Sequence, residues 1–192
     1  MNYVAKEDIL NFPLIKFKGP INIVEFLDDI DDACNILLKQ NIIGFDTETK
    51  PAFKKGVSND VCLLQLSTKD VSFIFRLNKT GLSIKIIDIL SNPSILKVGI
   101  DIGNDIVGLK KLNFFKESNF LDLNKLATEK GFKSIGAVKL SIMLIGYRIS
   151  KSQRLSNWES DNLSEHQINY AATDAWICLK ILEGFKKKSL FP

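Results

Sequence analysis

Asp46 and Glu48 stand two residues apart at the end of an apolar run, Ile42-Ile43-Gly44-Phe45, and on an extended chain that spacing puts both carboxylates on one side. Carboxylates that close repel unless a positive charge lies between them. A shared divalent cation is one reading, and an ordinary strand running into a polar loop is the other. Near the C-terminus, Tyr170 and Asp174 stand four apart in a segment of helical periodicity, which stacks phenol and carboxylate on successive turns. An aspartate beside alanines needs a partner, and the plain reading has Asp174 capping or pairing with a lysine. Tyr170 alternatively packs as an amphipathic core residue. A further acidic segment, Asp101 to Asp105, follows the apolar run Ile95 to Ile100, with Gly99, Gly103 and Asn104 fitting a functional loop.

The elements that must position these groups follow from periodicity. Ile21 to Val24 reads as a short strand, and Asp28 to Gln40 as an amphipathic helix with Ile30, Ala33, Cys34, Leu37 and Leu38 on one stripe. The strand carrying Asp46 comes next. After a loop with Pro51 and Gly56, Val61 to Leu66 and Val71 to Leu77 form a hairpin about Ser67-Thr68-Lys69-Asp70. Leu82 to Leu90 has helical spacing and stops at Asn92-Pro93, and Ile95 to Ile100 is another strand. Helices are expected from Ile106 to Leu112, Leu123 to Lys130 and Ser134 to Ile145, the last closed by Gly146, with a short extended piece at Phe120-Leu121. Ser164-Glu165-His166-Gln167 has the form of a capping box that opens the final helix, whose stripe is Ile168, Ala171, Ala175, Leu179 and Leu182. A meander followed by helices makes a mixed α/β fold. With no internal repeat or linker, residues 1–192 read as one domain with its core at about 21–186.

A chain of 192 residues, 45% hydrophobic and 25% charged, is that of a globular protein able to bury a core without disulfides. Cys34, Cys62 and Cys178 are scattered and odd in number, which favours reduced core thiols over a disulfide framework or a zinc site. Charges interrupt every apolar run near the N-terminus, so neither a signal peptide nor a membrane span is expected and the protein is placed in the cytoplasm. The net charge of +4 permits a polyanionic partner without requiring one.

Asp46, Glu48, Asp105 and Asp174, with Tyr170 four before the last, resemble the tyrosine form of the DEDD exonuclease pattern, as found in ribonuclease D and Werner-type 3′→5′ exonuclease domains. The resemblance extends through Val61 to Leu66 with Gln65, Lys97-Val98-Gly99 leading to Asp105, Phe120-Leu121-Asp122-Leu123, Ser156-Asn157-Trp158 and Tyr170-Ala171-Ala172-Thr173-Asp174-Ala175. Three motifs in the right order and separation are more specific than any one alone. The histidine form needs His five residues before the last aspartate, where Asn169 stands. Register from Lys97-Val98-Gly99 and Leu109 selects Asp105 over Asp101, which is then a surface or loop-capping residue. His166 falls at the helix start and is expected in solvent.

The resemblance implies a ribonuclease H-like three-layer α/β fold, a mixed sheet flanked by helices. It also implies a metal-dependent 3′→5′ exonuclease that cuts phosphodiester bonds at nucleic acid 3′ ends, with DNA favoured. Oxygen-only ligands favour Mg²⁺ or Mn²⁺ over zinc. By resemblance, one ion would be held by Asp46, Glu48 and Asp174 beside the attacking water. A second would be bridged by Asp46 and held through water by Asp105, beside the leaving 3′-oxygen. Tyr170, whose phenol is a poor base at neutral pH, would orient the water. Thr47, Lys151 and Arg154 are expected to contact nucleic acid, and Arg148, Lys54 and Lys55 to be available for phosphates. Phe53 would stack on a terminal base or simply pack. Trp158 is expected in the core, and Lys186-Lys187-Lys188 suits a helix end on dipole grounds alone. The alternatives are a ribonuclease D-like RNA trimmer and a catalytically silent nucleic-acid-binding module. Larger relatives carry a helicase or accessory domain, so here affinity comes from this domain or from a separate helicase or repair partner.

Overall fold

A computed structural model of the chain describes residues 2–54, 56 and 58–191. Among them, one six-stranded mixed sheet is built from β1 (Ile21–Val24), β2 (Ile42–Thr49), β3 (Val61–Ser67), β4 (Ser72–Arg76), β5 (Leu96–Gly99) and β6 (Phe120–Asp122), in the order β1-β4-β3-β2-β5-β6. β2, β3 and β4 form the expected antiparallel meander, while β1 joins β4, β5 joins β2 and β6 joins β5 in parallel. At the hairpin, the Thr68 hydroxyl accepts the N–H groups of Asp70 and Val71. The Thr68 N–H also donates to the Val71 carbonyl, so backbone and side chain close the turn together.

Helices cover both faces. α1 (Asp29–Leu37) and α3 (Ile84–Ser91) pack with Phe45, Leu64, Leu66, Phe73 and Phe75 on one side. α5 (Leu123–Glu129), α6 (Ala137–Ile145) and the long α7 (Glu165–Lys187) pack with Leu63, Ile74 and Val98 on the other. Also present are the four-residue α2 (Leu77–Thr80), α4 (Gly103–Leu112) and a 3-10 turn at Ile9–Asn11. This is the three-layer arrangement implied by the family resemblance. Alternation along β2 follows from it: Phe45 enters the α1/α3 core, so Asp46 and Glu48 face α7 and Thr47 faces away from it.

The structure corrects several boundaries. α4 begins at Gly103 rather than Ile106, so Asp105 lies in its first helical turn and not in a loop. α2 was not expected, because Leu77 continues the apolar run of β4 and only Gly81, with φ +66°, ends the turn. α1 stops at Leu37, and α6 starts at Ala137 behind Gly136, whose φ is +92°. Gly146 closes α6 in the left-handed conformation as anticipated. The capping box at Ser164 and Gln167 is formed in both directions. All three cysteines are buried and free. No described helix is long and apolar enough to cross a membrane.

Candidate active site

Placement of the site depends on how closely α7 approaches β2. A Cβ on Gly44 would lie 2.0 Å from the Ala175 carbonyl oxygen, so the strand and the helix touch through backbone. Ala171, Ala172 and Ala175, all fully buried, present no side chain large enough to hold the helix away. That contact delivers Asp174, 6% exposed, against the sheet face bearing Asp46 and Glu48. One oxygen from each of the three carboxylates lies within 4.8 Å of the other two.

Only one cation meets this cluster among the described residues. Lys151 Nζ donates to Asp174 Oδ2 at 2.9 Å and lies 5.3 Å from the centre of the Tyr170 ring. The other oxygen, Asp174 Oδ1, is buried without a hydrogen-bond partner. A buried carboxylate oxygen without a donor, on a residue whose carboxylate lies close to two others, suits a divalent-cation site, and the all-oxygen set suits a hard ion. The residues fit the ion.

The electrostatics agree. Burial, then the fields of Asp174 and Asp105, push Asp46 well above the usual carboxylate range. Burial and Asp46 push Glu48 up to about 9. Asp174 is raised by burial despite the opposing pull of Lys151. Burial of Lys151 opposes its charge, but Asp174, Asp46 and Glu48 outweigh that and hold its pKa above the ordinary lysine value. Burial and the neighbouring Asp174 also raise Tyr170, which keeps its phenol protonated. Tyr170 itself is 7% exposed, one turn before Asp174, with the fully buried Trp158 packed 5.8 Å from it, centroid to centroid. Trp158 is therefore in the core, as expected.

Asp105 stands beside the cluster rather than within it. Its Oδ1 accepts a 2.6 Å hydrogen bond from the Thr47 hydroxyl on the opposite side of β2, and burial lifts its pKa to about 6. The Thr47 hydroxyl thus serves Asp105. Asp101 is exposed, with φ +60°, and its N–H donates to Asp122 Oδ1, which also caps α5 by accepting from Asn124 N–H.

The expected nucleic-acid contacts separate. Lys151 is drawn to Asp174, whereas Arg154 and Lys54 are exposed and Phe53 is 82% exposed, outside the core. Lys55 lies outside the described residues. Arg148 is used structurally: its Nε donates to the Phe12 carbonyl and its backbone pairs with Pro13 and Ile15, strapping residues 12–15 to the loop that carries Lys151. His166 is exposed. Sequence reasoning missed Arg76, 1% exposed, which donates to the carbonyls of Ser160 and Asp161 and pairs with Glu25. It anchors the loop entering α7. An arginine ending an otherwise apolar strand was the available signal.

Comparison with known proteins places this geometry. Residues 21–189 match the model of the 3′–5′ exonuclease domain family, and the chain belongs to that family. It is 31% identical over 195 residues to a 3′-5′ exonuclease of Arabidopsis thaliana, covering 90% of this chain and 67% of that protein. It is 30% identical to the mouse bifunctional 3′-5′ exonuclease/ATP-dependent helicase WRN, covering 90% of this chain and 13% of that one. It spans half or less of other relatives, including 27% of a Drosophila melanogaster exonuclease 3′-5′ domain-containing protein. Among solved structures, the Aedes aegypti Nibbler EXO domain superposes with a TM-score of 0.81 at 25% identity, covering 91% of this chain and 92% of that one. Escherichia coli RNase D superposes with a TM-score of 0.78 at 21% identity, covering 92% and 47%, and shares the fold.

Proposed function

We propose that this chain is a metal-dependent 3′→5′ exonuclease that removes nucleotides from nucleic acid 3′ ends, with DNA favoured, and that residues 1–192 act as one cytoplasmic domain. The convergence of Asp46, Glu48 and Asp174 on one point beside Tyr170 carries this reading. Asp46, Glu48 and Asp174 would hold one Mg²⁺ or Mn²⁺, and Asp46 with Asp105 a second. Such ions neutralise charge developing on the entering and leaving oxygens of an in-line displacement. The protein's own groups do the rest. Tyr170, protonated at neutral pH, donates its O–H to orient the attacking water and takes no proton from it. Thr47 fixes the Asp105 carboxylate in one rotamer. Exposed Arg154, and Lys151 once released from Asp174, would meet backbone phosphates, and exposed Phe53 would offer a ring to a terminal base.

A second reading, RNA trimming, is favoured by likeness to Trypanosoma brucei RNase D, solved in complex with RNA U12, at a TM-score of 0.77 and 20% identity. A separate helicase or repair partner is suggested by the WRN relative, which joins both activities in one chain. The test is a time course on 5′-labelled DNA and RNA, single-stranded and recessed, with Mg²⁺, Mn²⁺ or chelator. A metal-dependent ladder, lost in folded Asp46→Ala and Asp174→Ala, is expected to be faster on DNA. Faster trimming of RNA selects the second reading. Metal-dependent activity retained in both variants defeats the site assignment.

A further inference from the structure

Three carboxyl groups crowded into one pocket cannot all ionise without positive charge beside them. In the fold as it stands, that charge is Lys151. Its ammonium occupies Asp174 Oδ2 at 2.9 Å while Oδ1 stays unpartnered, and no other described lysine or arginine hydrogen-bonds to Asp46, Glu48 or Asp174. The side chain is 40% exposed, so it can withdraw toward solvent without opening the core. Its backbone is held on both sides, by the Arg148 strap before it and by Arg76 on Ser160 and Asp161 after it. The loop is therefore fixed while the four-carbon stem is free to swing. An ammonium on Oδ2 and a divalent ion on Oδ1 would be like charges on one carboxylate, and they repel strongly in a site this dry.

We propose that Lys151 is an exchangeable counter-cation of this site: it holds Asp174 in the metal-free protein, yields it to the incoming divalent ion, and so sets the affinity for that ion. This rests on the reading of Asp46, Glu48 and Asp174 as a metal site. A lysine tethered there keeps the carboxylates from splaying apart before metal arrives, at the expense of tighter metal binding. Its displaced ammonium remains at the mouth of the site.

The test is calorimetric titration of Mn²⁺, without nucleic acid, into the wild-type chain, Lys151→Met, Lys151→Gln, Lys151→Arg and Asp46→Ala at neutral pH. Lys151→Met and Lys151→Gln are expected to bind Mn²⁺ about tenfold tighter than wild type, because a competing like charge is gone. Lys151→Arg, which keeps the charge, is expected to stay close to wild type, and Asp46→Ala to lose most binding. In chelator, Lys151→Met is expected to melt below wild type, and in saturating Mn²⁺ the gap is expected to close. Glutamine can still donate to Asp174, so Lys151→Gln reads the charge with the contact kept. Equal or weaker Mn²⁺ binding in both neutral variants, with wild type binding normally, overturns the inference alone. No binding by wild type or by any Lys151 variant overturns the metal-site reading and the inference with it.

Discussion

At the scale of single residues, the proposed mechanism separates groups that would hold a metal from one that would orient water. Tyr170 is buried, stays protonated and sits one turn from Asp174, and in the proposed mechanism it would act on the reaction rather than on binding. Tyr170→Phe is expected to lower kcat by about tenfold to a hundredfold with KM nearly unchanged, which single-turnover kinetics would check. Equal losses in both would remove the water-orienting role. The carboxylates make a second prediction. In the metal-free protein Glu48 is raised from 4.5 to about 9, so its protonated form is the one the fold favours. Its stabilising contribution is full below its unfolded value and is lost as pH rises through about 9. Thermal melts in chelator are expected to show Tm falling as pH rises across that window. Glu48→Gln should flatten the slope and saturating Mn²⁺ should abolish it.

At the scale of elements, one contact sets the site, where α7 rests on the backbone of β2 at Gly44 and Ala175. A methyl group on Gly44 has no flexible neighbour to displace, because the atom it meets is a main-chain oxygen. Gly44→Ala is expected to destabilise the fold by roughly 1–3 kcal/mol through overpacking. By lifting α7 it should also weaken Mn²⁺ binding, although position 44 touches no ligand. Denaturant melts and metal titration together check this, and unchanged affinity in a destabilised variant would separate packing from site geometry. The helix itself was legible in the sequence because its capping box, apolar stripe and length agree with one another. α2 and the early start of α4 were not legible. Each depends on where the sheet ends and the chain turns, and no local periodicity marks it.

At the scale of the whole molecule, the metal-free fold crowds three acidic groups between a sheet and a helix and raises their pKa values. A divalent ion bridging β2 and α7 is expected to stabilise the whole fold and not one segment. At a hundredfold excess over Kd the gain is about 2.7 kcal/mol, which for a chain of this size raises Tm by roughly 5–10 °C in a single transition. A rise confined to one of two transitions would show that the domain does not unfold as a unit.

The three-layer arrangement was implied by family resemblance, while the residues by themselves determined a mixed α/β domain, the face shared by Asp46 and Glu48, and the pairing of Tyr170 with Asp174 on successive turns. Each rests on a period of the chain, two for strands and about four for helices, and such periods are local. Only the tertiary structure decided that Lys151 neutralises Asp174, that Thr47 is turned to Asp105, that Arg148 straps the N-terminal segment and that Arg76 anchors the loop into α7. These join residues far apart in sequence, and their partners are set by how closely two layers pack. No spacing along the chain records that distance.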